Sequence, residues 1–148
     1  MELLSLSLVP VVVILLYIYF RDKYEREPVK LLIKAFLLGA LIIIPAIFFE
    51  SILIKFEPAG NEILQASYKA YIVAGFTEEL LKFLALYFLI WRNPNFNEKF
   101  DGIVYAVYIS LGFAAVENVM YVIEGGYKIA LSRALTAVPA HALFGIRM

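Results

Sequence analysis

The chain has 148 residues, 63% of them hydrophobic, with a mean hydropathy of +0.83; soluble domains run to about 45–50% apolar, so it reads as an integral membrane protein. Its 13 basic residues balance 13 acidic ones, which removes nucleic acid and polybasic surface binding from the expected roles. It has no cysteine, hence no disulfide framework, no thiolate nucleophile and no thiolate metal site.

A bilayer-spanning helix needs about 20 mostly apolar residues, and five segments are predicted to span. The chain opens Met1-Glu2 without a basic n-region, and the apolar run that follows is too long for a secretory core. Leu3–Phe20 is therefore predicted to be a retained anchor helix, followed by the charged stretch Arg21–Lys30. Leu31–Ile54 is the second segment, ending in a polar loop, Lys55–Lys69, that carries Pro58 and Gly60. Ala70–Ile90 is the third, and the Asn- and Pro-bearing stretch Trp91–Asp101 is a turn-forming connector. Gly102–Ile123 is the fourth, closed by Glu124-Gly125-Gly126, and Ile129–Met148 is the fifth. The fifth stops without a cap, so a further C-terminal helix is expected to be missing. The predicted fold is thus an all-α, polytopic transmembrane helix bundle, one domain over residues 1–148.

Several residues carry structural expectations only. Pro10 and Pro45 predict packing kinks. Glu50, four residues from a helix end, is expected to snorkel toward the interface, and Lys34 and Arg133 invite the same reading. Gly39, Gly75 and Gly112 mark close helix packing. Arg21, Lys23, Arg26, Lys30, Lys34, Arg92 and Lys99 flank loops one and three, against Lys55, Lys69, Lys128 and Arg133 on the other side. That bias puts loops one and three in the cytoplasm and the N-terminus outside.

The most informative residues are Glu78, Glu79 and Lys82, near the middle of the third segment. Ionisable groups at that depth cost roughly 2.5–3.5 kcal/mol each and default to a functional role. At about 1.5 Å per residue, Glu78 lies roughly 12 Å down, Glu117 roughly 9 Å and His141 roughly 18 Å, so one layer in the outer half of the membrane holds all three. Lys82 is i,i+4 to Glu78 and i,i+3 to Glu79 and reaches either carboxylate. Pairing one leaves the other freer to take a proton from water. Phe113 and Glu117 share a face of the fourth segment, with Asn118 about a quarter turn away. Pro139 removes a helical hydrogen bond just before His141, and such irregular backbone at depth implies a small hydrated pocket.

Phe76-Thr77-Glu78-Glu79-Leu80-Leu81-Lys82, Gly112-Phe113-Ala114-Ala115-Val116-Glu117-Asn118 and His141-Ala142-Leu143-Phe144-Gly145 resemble the EExxK, FAxxEN and HxLFG motifs of the PrsW family, intramembrane proteases related to the CAAX-processing and bacteriocin-processing enzymes. The stretch Arg21–Pro28 also resembles that family's first cytoplasmic loop, and Asp101-Gly102 the start of its FAxxEN helix. The resemblance implies peptide-bond hydrolysis in a cell membrane, acting on a single-pass membrane protein substrate. Bacterial members are associated with first-step, extracytoplasmic cleavage of an anti-sigma factor. By analogy with the CAAX proteases, Glu78 is the general base and Glu79 the partner of Lys82. Glu117 and His141 then orient water or stabilise the oxyanion, supported by Asn118 and Phe113. A Zn²⁺ ion held by Glu78, Glu117 and His141 and a metal-free site both remain open.

Other chemistries fit less well. One histidine cannot make an HExxH zinc site, and Asp22 and Asp101 sit in or beside loops, which removes an aspartyl dyad. A Ser–His dyad through Ser110 or Ser132 lacks a glycine-flanked serine. The alternative from another class is a transporter or channel component whose carboxylate and histidine layer relays protons or binds a cation; the lack of an internal repeat argues against it.

Overall fold

The computed structural model of the chain describes residues 2–22 and 26–148, apart from the side chains of residues 2–4 and 6. Lys23, counted above among the first-loop basic residues, lies outside the described residues with Tyr24 and Glu25. Among the described residues every regular element is helical: α1 (Glu2–Arg21), α2 (Val29–Leu41), α3 (Ile43–Leu53), α4 (Glu62–Tyr68), α5 (Thr77–Ile90), α6 (Lys99–Leu135) and α7 (Ala137–Arg147). A 3₁₀ turn, Ile54–Phe56, extends α3, and a π-helix, Lys69–Phe76, joins α4 to α5.

Two breaks have the same cause. Pro45 has no N–H for the carbonyl of Leu41, and α2 ends at Leu41; Pro139 has none for Leu135, and α6 ends at Leu135. Helical bonding resumes one residue later in each case, with Ala46 donating to Ile42 and Ala140 to Thr136. The expected kink at Pro45 is therefore present and lies four residues upstream of the ring.

A third irregularity decides the architecture. Gly126 adopts φ 67°, a conformation that glycine enters at little cost, in the middle of α6. Glu117 and Arg133 are 16 residues apart, and in a straight helix they would be separated by about 24 Å. Their side chains meet at 2.7 Å. The chain therefore folds back at Gly126, and the return arm with α7 runs antiparallel to the first arm of α6, so that Gly145 lies against the backbone of Ala106.

That first arm is the hub: α1, α2 and α7 pack most extensively on it, and α5 more lightly. Val104, Tyr105, Val107, Ile109, Leu111, Phe113 and Ala114 are essentially without solvent contact. A Cβ at Gly39 would collide with the carbonyl of Ile109, and one at Gly112 with the carbonyl of Phe36. The α2 and α6 backbones are thus in direct contact, as small residues at two facing positions predict. Outward-facing apolar side chains are left uncovered: Ile44 on α3, Phe88 on α5 and Ile123 on α6 are 67%, 80% and 74% exposed. Surfaces of that kind match a lipid environment.

The helical content is as expected; the count of spans is not. Two stretches of the described residues, Val29–Phe56 and Lys99–Arg147, are long and apolar enough to cross a membrane, and Ser7–Arg21 is a shorter apolar helix. Five spans are not supported. The run through the third segment carries Glu78, Glu79 and Lys82 in its apolar part, so composition does not mark it as a crossing. Part of the supposed loop Lys55–Lys69 is also helical, since Asn61 caps α4 by accepting from the N–H of Leu64.

At one end of the bundle, Glu27 is buried in the loop ahead of α2, where it accepts the hydroxyl hydrogen of Tyr105 and its N–H donates to Asp22. Burial, reinforced by the nearby Asp101 and Asp22 carboxylates and opposed by the Tyr105 hydrogen bond, pushes the Glu27 carboxyl up to about 7 from 4.5. The folded protein therefore holds a proton that the unfolded chain releases. The stability this contributes is complete below pH 4.5 and is lost as pH rises through about 7. Unfolding in detergent should show about 3 kcal/mol of such loss, and Glu27→Gln should flatten the profile. Gly112→Leu should destabilise by about 3 kcal/mol or more in the same assay, because neither backbone can retreat.

Candidate active site

The π-helix sits directly before the paired carboxylates. It is closed by the Thr77 hydroxyl donating to the carbonyl of Ile72, five residues back, at 3.3 Å. Widened turns of this kind recur at functional sites because they rotate the residues that follow. Glu78 and Glu79 then occupy the first turn of α5.

Lys82, one turn on, has no solvent-exposed side-chain surface. Its ammonium lies 3.0 Å from Glu78 Oε2, 2.8 Å from Glu79 Oε1 and 3.0 Å from His141 Nδ1. The ring of Phe113 faces it, with the centroid 4.3 Å from Nζ. Both carboxylates are bound together, where the spacing alone suggested that Lys82 would choose one. An ammonium has three hydrogens and no lone pair, so Nδ1 of His141 accepts from it. The ring hydrogen is then on Nε2, which donates to Glu117 Oε2 at 2.9 Å.

Glu117 Oε2 also receives Arg133 Nη2 at 2.7 Å, and Arg133 Nε donates to Asn118 Oδ1 at 2.6 Å. The Arg133 guanidinium lies over the Tyr121 ring, 4.2 Å from its centroid. Asn118, fully buried, passes its amide hydrogen to the carbonyl of Ser7 on α1. Four helices are thus tied through one polar layer: α5 by Lys82, α7 by His141, α6 by Glu117 and Arg133, and α1 through Asn118.

A cavity of about 310 Å³ opens beside this layer, lined by Glu78, Glu117, Phe113 and Tyr121 together with Glu50, Glu124 and apolar residues of α3. Glu78 lines it, and its Oε1 is free of any protein partner among the described residues, since Lys82 binds only Oε2. Every residue expected at the site, Glu78, Glu79, Lys82, Phe113, Glu117, Asn118 and His141, lies in this one cluster. Ser110 does not join it: its hydroxyl is buried beside Gly145 without a hydrogen-bond partner.

Three residues were missed by sequence reasoning. Arg133 was assigned to a helix flank and is instead the cation that pairs with Glu117. Its spacing from Glu117 gives no helical signal, because the reversal at Gly126 intervenes. Glu50 was expected to snorkel and lines the cavity. Tyr121 had no assigned role and supplies the only hydroxyl among the described lining residues; the i,i+4 step from Glu117 was the available signal.

The side chains that converge as metal ligands are Glu78, Glu79 and His141, with one donor atom of each within 4.8 Å of the others. Glu117, placed in the expected ligand set, sits instead at the opposite nitrogen of the imidazole. The point on which the three converge is the position of Lys82 Nζ. Zn²⁺ needs ligands at about 2.0–2.2 Å, whereas here the 2.8–3.0 Å contacts are already made by a cation. As arranged, the donor set does not fit a metal.

Residues 27–148 match the family described as PrsW family intramembrane metalloprotease. Proteins named Protease PrsW from Geobacillus kaustophilus and Bacillus subtilis are each 36% identical to the chain over 99% of its length, and one from Clostridioides difficile is 36% identical over all of it. The chain spans just under two thirds of these relatives, 64%, 65% and 63% respectively. No solved structure matches it.

Removing Arg133 would leave Glu117 buried without its guanidinium and Asn118 without its donor. Arg133→Met is expected to destabilise the fold by roughly 3–5 kcal/mol, with Arg133→Lys recovering part of it, read from unfolding in mixed micelles.

Proposed function

The chain belongs to the PrsW family, and we propose that it is an intramembrane endopeptidase in which Glu78 activates water against a peptide bond. The observation that carries this reading is that Glu78, whose Oε1 has no protein partner among the described residues, lines a cavity beside Glu117. Both apolar helical stretches and the family agree on a membrane location.

In the proposed reaction, Lys82 holds Oε2 of Glu78 and so fixes the carboxylate plane, while Oε1 takes a proton from water in the cavity. The water oxygen attacks the carbonyl carbon, and the electron pair of the C=O bond moves to oxygen. The oxygen's electron pair then re-forms the C=O bond as the C–N bond breaks, and Glu78 returns its proton to the leaving amine. Glu117, held by Arg133 and His141, accepts the second hydrogen of the water and orients it. The Tyr121 hydroxyl is the neutral donor available to the developing oxyanion. Glu79 acts through Lys82, as the second carboxylate that anchors the ammonium.

The proposed substrate is a single-pass, membrane-anchored protein of the anti-sigma-factor type, cut on the extracytoplasmic side. Both the substrate type and the side rest on the family resemblance. Glu78→Gln keeps the shape of the side chain and removes the base. It should lower cleavage of a co-expressed single-span reporter by about a hundredfold or more, with helix content unchanged. Undiminished cleavage by the folded variant would refute Glu78 as the base.

A further inference from the structure

Glu78, Glu79 and His141 form the one ligand-like group found among the described residues, and an internal side chain already fills its centre. We propose that the Lys82 ammonium is the resident cation of this site, and that a divalent metal is excluded unless Lys82 leaves.

Three observations carry this. Lys82 spends all three of its hydrogens on Glu78, Glu79 and His141, one donor atom of each, at 2.8–3.0 Å. It is fully enclosed, with the Phe113 ring closing its remaining side, so no solvent path competes for the ammonium. The charge count agrees: Lys82 leaves Glu78 and Glu79 with one net negative charge, whereas a dication added beside it would give the pair an excess of one positive charge. Arg133 already balances Glu117 on the other side of the imidazole. The Nδ1 lone pair of His141, the donor a soft divalent ion would seek first, is committed to Lys82 by the Nε2–H donated to Glu117.

The test is metal uptake, which does not depend on the peptidase reading. The chelator-stripped protein in detergent micelles is titrated with Co²⁺, whose visible bands report inner-sphere ligands. The native protein should show no stoichiometric uptake and no band that disappears in His141→Ala. Lys82→Met, which keeps length and removes charge, should gain a one-equivalent site at least about tenfold tighter than any native binding, and adding His141→Ala should abolish it. One equivalent of Co²⁺ on the native protein with a His141-dependent band would overturn the proposal, as would a folded Lys82→Met variant that still refuses the ion. If Lys82→Met fails to fold, the native titration decides alone. Either failure would leave the hydrolytic role of Glu78 standing, and loss of that role would leave this prediction unchanged.

Discussion

An ammonium with no access to solvent is the constraint around which the site is arranged. Burying a charge is costly unless it is paired and hydrogen-bonded, and Lys82 is paired with two carboxylates and an imidazole at once. Satisfying it fixes the rotamers of Glu78 and Glu79 on α5 and draws His141 of α7 across to them. His141 then fixes Glu117, and Glu117 with Asn118 fixes Arg133. The polar layer is one chain of donors and acceptors, and Oε1 of the cavity-lining Glu78 is left without a partner among the described residues.

Backbone features distant in sequence make that arrangement reachable. The reversal at Gly126 lets Arg133 and His141 return to the depth of Glu117. Pro139 ends α6 and restarts the helix as α7, which sets the direction from which His141 enters. The π-helix before Thr77 sets the rotation of α5. Direct backbone contact at Gly39 and Gly112 seats α2 on α6, while α5 brings Ala85, Leu86 and Ile90 into the same apolar core as the first arm of α6.

Much of the site was legible because its parts lie within short helical stretches. The i,i+4 and i,i+3 steps from Glu78 and Glu79 to Lys82, and the shared face of Phe113 and Glu117, follow from helix geometry alone. Arg133 was not legible in this way, because its partner is reached by a tertiary reversal, and near a helix end it looked like an ordinary flanking charge. Glu50 failed for a related reason: distance from a helix end says nothing about which side of the helix meets a cavity. The number of spans was overread because apolar length was counted without regard to the three charges in the third segment. The π-helix has no counterpart in the hydrophobic pattern, since its eight residues are too short a run to establish a period.

The chain contains a single histidine, so its ring nitrogens give one unambiguous pair of resonances. Nitrogen-15 spectroscopy of histidine-labelled protein in lipid reads directly whether His141 sits between Lys82 and Glu117. A ring carrying its hydrogen on Nε2, with Nδ1 unprotonated and hydrogen-bonded near neutral pH, is the expected result. A hydrogen on Nδ1, or a ring averaging between tautomers as in water, would contradict the convergence on which the site is built.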